Sequence, residues 1–187
     1  QNKRVDADLS GVKKWIGISG TWRTTSERIE RDVRAVVRAI IAAGEGIVTG
    51  GASGVDYFAT DEALKLAPDG TRVRVALPST LGYYIEHLRA WAGGHDTGDP
   101  SIALSEVERL VRQLNLLKNA RPASIIEGPP IPALDIRQAA YDARDTVVAK
   151  LAGQLVAFQV NKSKGTQDTI DKARDATHGV VGVNGGE

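Results

Sequence analysis

Cysteine is absent from the 187 residues, which removes disulfide cross-links, thiolate catalysis and sulfur-ligated zinc from consideration. Methionine is absent as well, the initiating residue included, so the expectation is that the chain is a piece of a longer protein. No apolar run approaches the ~18 residues that a membrane-spanning helix requires. The polar opening, Gln1-Asn2-Lys3-Arg4, carries no apolar signal core, and the cytoplasm is the expected compartment. Neither sign of charge dominates: 24 Lys plus Arg against 23 Asp plus Glu leave +1, too little for a global field that attracts a polyanion. Any nucleic-acid role therefore needs a local basic surface.

What is present is an ordinary globular composition, 42% hydrophobic and 25% charged, at a length that suits one domain spanning residues 1–187. A first buried strand is expected over 14–19, followed by a Gly20-Thr21-Trp22 turn. Thr24 and Glu27 stand at capping-box spacing, and Ile29, Val33, Val36, Val37, Ile40 and Ile41 then recur with helical period until Gly44. A strand at 46–49 leads into Gly50-Gly51-Ala52-Ser53-Gly54-Val55-Asp56. The helix it opens has Val55, Phe58, Ala59, Ala63 and Leu66 as its stripe, and a third strand is expected over 72–77.

Strands alternating with helices at this spacing argue for βαβ units. The alternation is interrupted over about 81–132 by two helices (83–91 and 101–117), a glycine-rich loop and a run of prolines, expected to form an insertion or lid over the ligand edge. It resumes with a helix at about 134–152, whose expected stripe is Ile136, Ala139, Ala140, Ala143, Val147 and Leu151. A strand at 154–160, a turn at 161–166, a helix carrying Ile170 and Ala173, and a last strand at 178–183 follow. The fold class expected is α/β, a Rossmann-like doubly wound, mostly parallel sheet with a helical insertion.

The 50–56 segment admits two readings: a tight strand-to-helix turn, or a cradle whose backbone N–H groups and helix dipole favour a phosphate. In a doubly wound sheet, loops at the carboxyl ends of the strands converge on one crevice. Gly20 and Thr21, the residues Gly50, Gly51, Ala52, Ser53 and Gly54, and the Lys162, Lys164, Gly165 and Thr166 turn would then line a single site. Asp56 is placed either for a ribose hydroxyl or simply as an acid favoured in the first turn of a helix. Arg144 reads either as a phosphate ligand or as half of a partly buried salt bridge. Neither GxxxxGK[ST] nor GxGxxG with a downstream acid occurs, so the usual triphosphatase and dinucleotide motifs are not matched.

The blocks GISGTW, TGGASGVDYFATDEAL and ARDTVVAKLAGQLVAFQVNKSKGTQDTIDKA resemble those of the SMF/DprA–LOG superfamily of Rossmann-like proteins. The second is closest to the GGARGID pattern of the DNA-processing protein A branch, which Gly50, Gly51, Ala52, Gly54 and Asp56 fit. The third is partly similar to the LONELY GUY phosphoribohydrolases: Gly165, Thr166 and Arg144 have counterparts, but Asn161-Lys162-Ser163 replaces Pro-Gly-Gly and Thr169 replaces the glutamate. A hydroxyl cannot do the acid–base work of a carboxylate. Arg144 and Asp168 are the catalytic candidates that remain, with Glu86 or Glu106 as other carboxylates.

The resemblance implies binding of a nucleotide or nucleotide-derived phosphate ligand. Its alternatives are cleavage of the glycosidic bond of a nucleoside monophosphate, and single-stranded DNA binding. It also implies a homodimer. No cofactor is expected and no metal: His87, His95, Asp96 and Asp99 can be drawn together, but no HxxxH or HExxH pair sets two imidazoles on one face. Trp22, Tyr83, Tyr84 and Trp91 are either packing residues or stacking faces for a base.

Overall fold

The computed structural model describes residues 11–23, 25–159, 171–172 and 179–184. Six strands form one sheet: β1 (Trp15–Gly20), β2 (Gly46–Thr49), β3 (Val73–Ala76), β4 (Ile125–Ile126), β5 (Gln154–Gln159) and β6 (Gly179–Asn184). Every pairing is parallel and the order is β4-β3-β2-β1-β5-β6. All four residues of β2 are buried, as a strand covered on both faces requires.

The helices are α1 (Glu27–Ala42), α2 (Val55–Leu66), α3 (Leu81–Ala92), α4 (Leu104–Ala120) and α5 (Gln138–Leu151). The chain steps outward from β1 to β4 through α1, α2 and the α3–α4 pair, then returns through α5 to add β5 on the other side of β1. α5 packs on the sheet through Val148, against Val48 and Ala76, and through Ala149, against Leu155 and Ala157. The winding direction thus reverses between β1 and β5, and the crevice at such a switch point is where open α/β sheets take ligands.

Several expectations are corrected in detail. α1 is capped by Ser26, whose Oγ accepts from the Ile29 N–H at 3.2 Å; Thr24, of the expected Thr24–Glu27 box, lies outside the described residues. Ser26 is extended (φ −137, ψ 163) and so presents its hydroxyl to the first turn. The 81–132 segment holds a strand that periodicity does not reveal: β4 is only two residues long and follows a short turn at Pro122–Ser124. α4 begins three residues later than expected from 101–117, at Leu104.

α5 starts at Gln138, after a 3-10 turn at Ala133–Asp135, and its buried residues are Ala140, Asp145, Val148 and Ala149. Ala139 and Ala143 are exposed. The helix is rotated from its apolar stripe because Arg144 and Asp145 turn inward. The exposed face of α1 is tied to α2 by Arg34, which bonds Glu30, Asp61 and Glu62, while Arg38 reaches Glu62. Among the described residues no helix is long and apolar enough to cross a membrane.

Candidate functional site

The turns after β1 and β2 meet at the N-terminus of α2. Thr21 N–H donates to Phe158 O at 3.2 Å and Thr21 O accepts from Val55 N–H at 3.2 Å, so this turn bridges the end of β5 and the start of α2. Glycine is required where the segments touch. A Cβ on Gly54, at φ +74, would lie 2.5 Å from Thr21 O and 2.6 Å from Trp22 Cα; one on Gly20 would meet Val55 Cγ2 at 2.6 Å. Gly51, at φ +66, abuts Leu77 and Val75 at 2.8 Å. These glycines make room for neighbouring protein atoms, a reason additional to ligand access.

Two of the three expected loops are therefore together. The third, with Lys162, Lys164, Gly165 and Thr166, and the catalytic candidate Asp168, lies outside the described residues. β5, the strand leading to it, ends beside β1, with Gly20 opposite Phe158.

The donors of the 50–54 turn are divided. Asp56 Oδ2 accepts from Gly50 N–H at 3.0 Å and from Ala52 N–H at 3.3 Å. No acceptor for the N–H groups of Gly51, Ser53 and Gly54 occurs among the described residues. Asp56 itself is buried, at 7% exposure, and its carboxylate is directed into its own turn. Burial raises its pKa to about 6, against the opposing pull of Arg144 and the two N–H groups, while Asp145 adds to the rise.

Arg144 closes the inner side of the turn. Its Nη1 donates to Gly50 O at 2.6 Å, its Nε to Asp145 Oδ1 at 2.9 Å, and its guanidinium lies 5.1 Å from the Tyr141 ring centre. A Cβ on Gly50 would fall 3.0 Å from the arginine's Cδ, Nε and Cζ, so the glycine at 50 admits the guanidinium. Burial alone would lower the arginine's pKa; Asp145, Tyr84 and Asp56 outweigh it and keep the group charged. The salt bridge weighed for Arg144 from the sequence is present, and it is made with the adjacent Asp145.

A polar cluster under the turn was not apparent as a unit in the sequence. Tyr84 OH donates to Gly51 O at 3.0 Å, and burial pushes its pKa up to about 12. His87, from the next turn of α3, has Nε2 2.7 Å from Tyr141 OH and Nδ1 3.1 Å from Ala133 O. With both ring nitrogens engaged, His87 is not available to a metal, and its pKa is depressed, first by burial. The signal that could have revealed the cluster is a pair of i,i+3 spacings, Tyr84/His87 on α3 and Tyr141/Arg144 on α5.

Trp22 meets Trp91 edge-on at 5.1 Å, and Arg23 lies over Trp22 while pairing with Asp99 at 3.0 Å. Trp22 and Trp91 thus pack on each other; Tyr84 is buried and Tyr83 is exposed. Glu86 is exposed and Glu106 half-buried on α4.

No family model and no curated protein matches the sequence. Solved structures do share its fold. The DNA processing protein A of Helicobacter pylori, described by a single-stranded DNA binding mode, is 19% identical with a TM-score of 0.62, the match covering 95% of this chain and 68% of that one. The DNA processing protein A of Streptococcus pneumoniae is 16% identical with a TM-score of 0.58, covering 96% of this chain and 53% of that chain, so this chain spans about half of it. The molybdenum cofactor binding protein of Rippkaea orientalis is 16% identical with a TM-score of 0.54, over 93% and 78% of the two chains. At these identities the likeness establishes the architecture: an all-parallel, Rossmann-like α/β sheet of the kind these proteins carry.

Proposed function

We propose that the chain binds a nucleotide or nucleotide-derived phosphate ligand at the carboxyl edge of the sheet. The observation that supports this most is the division of donors in the 50–54 turn. Asp56 occupies the N–H groups of Gly50 and Ala52, whereas those of Gly51, Ser53 and Gly54 have no acceptor among the described residues. They stand at the N-terminus of a twelve-residue helix, whose dipole favours an anion. Gly20 and Thr21 form the neighbouring wall at the β1–β5 switch point; Lys162, Lys164, Gly165 and Thr166, expected as the third, lie outside the described residues. Arg144, fixed behind Gly50 and paired with Asp145, holds the shape of the turn without having to touch the ligand.

Single-stranded DNA is the second reading. It draws on the H. pylori neighbour's described binding mode and on Arg23 stacked over Trp22 next to Gly54, a cation–aromatic pair suited to a strand.

The test is calorimetric titration with a panel of nucleoside monophosphates. Ala52 is half-buried at the turn. Ala52→Glu sets a carboxylate among the donors without disturbing a glycine, and is expected to weaken phosphate-ligand binding at least about tenfold while the thermal midpoint stays near wild type. Unchanged affinity in this variant, or no binding by the wild type, would refute the assignment.

A further inference from the structure

On α4, beside the first turn of α2, Arg109 has no carboxylate partner among the described residues. Its guanidinium lies over the Tyr57 ring at 4.2 Å, and its Nε is buried with no hydrogen-bond partner among the described residues. Other arginines of this chain in comparable surroundings are matched: Arg34 has three carboxylates, Arg144 has Asp145, and Arg23 has Asp99. Arg109 makes no ion pair among the described residues, and Gln113, one turn later, holds the platform by donating to Tyr57 O at 3.0 Å. A half-buried guanidinium held on a ring and left with spare donors is ready to accept an anion.

Its place follows from the helix. Tyr57 comes three residues after Gly54, so it is on the same side of α2, about one turn (~5 Å) further along. The backbone of Trp22 lies against Gly54 at that end. Gly54 thus touches Trp22 and precedes by one turn Tyr57, the ring that carries Arg109.

We propose that Arg109, stacked on Tyr57 of the helix that the turn opens, is a second phosphate subsite for a ligand carrying more than one phosphate. This rests on the reading of the 50–54 turn as the first subsite. The second phosphate comes either from a nucleoside polyphosphate or from the next link of a single strand, and the two sources share the same recognition chemistry.

The experiment compares thymidine monophosphate, thymidine triphosphate and an oligothymidylate of about twelve nucleotides on the whole chain over a salt series. Arg109→Gln removes the charge and keeps a polar stem. It is expected to leave monophosphate affinity within about twofold and to weaken a multiphosphate ligand about tenfold. For the oligonucleotide the salt slope should fall by about 0.7. Arg109→Lys should restore the slope, which a merely structural role for Arg109 would not require.

Loss confined to the triphosphate identifies a polyphosphate tail, and loss for the oligonucleotide identifies a strand. If the wild type binds the monophosphate but gains nothing from further phosphates, or Arg109→Gln changes neither affinity nor slope, the second subsite is refuted and the first stands. If the wild type binds none of the three, both fall.

Discussion

The guanidinium of Arg144 donates to the carbonyl of Gly50 at 2.6 Å, joining residues 94 positions apart in the chain. One contact thus fixes the inner face of the turn after β2 to the helix on the opposite side of the sheet from α2. The same arginine neutralises Asp145 and lies near Asp56 and Tyr141. Its first role is to hold the turn in the shape that aims the remaining N–H groups.

Arg144→Gln should therefore destabilise the fold strongly. It leaves the Asp145 carboxylate, at 8% side-chain exposure, buried without its cation. Removing one member of a buried pair costs on the order of 3 kcal/mol. Urea denaturation would measure it, and a loss under about 1 kcal/mol would mean that Asp145 is satisfied by partners other than Arg144.

Gly54 and Gly82 make opposite predictions from the same residue type. Gly54→Ala adds a methyl 2.5 Å from Thr21 O in a backbone at φ +74, and should cost about 3 kcal/mol through strain and overpacking together. Gly82 lies in α3 with nothing within 4 Å of a Cβ, so Gly82→Ala should stabilise by about 0.5 kcal/mol. Thermal midpoints moving in the same direction for both would contradict the geometry.

Asp56 gives a pH signature of defined sign. Its carboxyl titrates at about 6 in the folded protein against 3.8 ordinarily, so between those values the native state holds a proton that the unfolded chain has released. Stability from this group is highest below about pH 4 and declines as pH rises to about 6, by roughly 3 kcal/mol in total. Asp56→Asn should remove that decline, leaving a flatter stability profile over the interval. A wild-type profile already flat there, with Asp56→Asn changing nothing, would show that the carboxyl is not desolvated.

The sheet was legible in the sequence wherever strands were buried on both faces and bounded by glycine, as with β1, β2 and β5. β4 was not, since two residues carry no periodicity and its position depends on pairing with β3 at Val75 and Ala76. The 50–56 segment announced a helix start, and the structure shows it. What sequence could not show is that Gly20, Gly50, Gly51 and Gly54 each face packed protein atoms. A glycine needed for packing and one needed for a ligand look alike in one dimension. The inward turn of Arg144 and Asp145 was hidden for a similar reason: their charges cancel only through contacts made in space, so α5 appeared to present a different face.

His87 gives the opposite pH slope from Asp56 over an overlapping range. Burial holds its pKa below 6.5, the Ala133 carbonyl opposes that shift, and His95 and Arg137 add to it. Below about 6.5 the unfolded chain takes up a proton that the folded ring resists, so this group's contribution to stability is full at neutral pH and is lost on acidification. Protonation would also add an N–H at Nε2, where the neutral ring accepts from Tyr141 OH, so that bond would have to reverse while Nδ1–H keeps Ala133 O. His87→Gln keeps a hydrogen-bonding side chain and cannot titrate. Relative to wild type it should lose less stability between pH 6.5 and pH 5, whatever its cost at pH 7. Combined with Asp56→Asn, it should leave the remaining carboxylate pairs, with Asp61 and Glu62 held low by their basic partners, to set the acid limb alone. If neither single variant changed the wild-type slope across that interval, neither buried group would be a source of it.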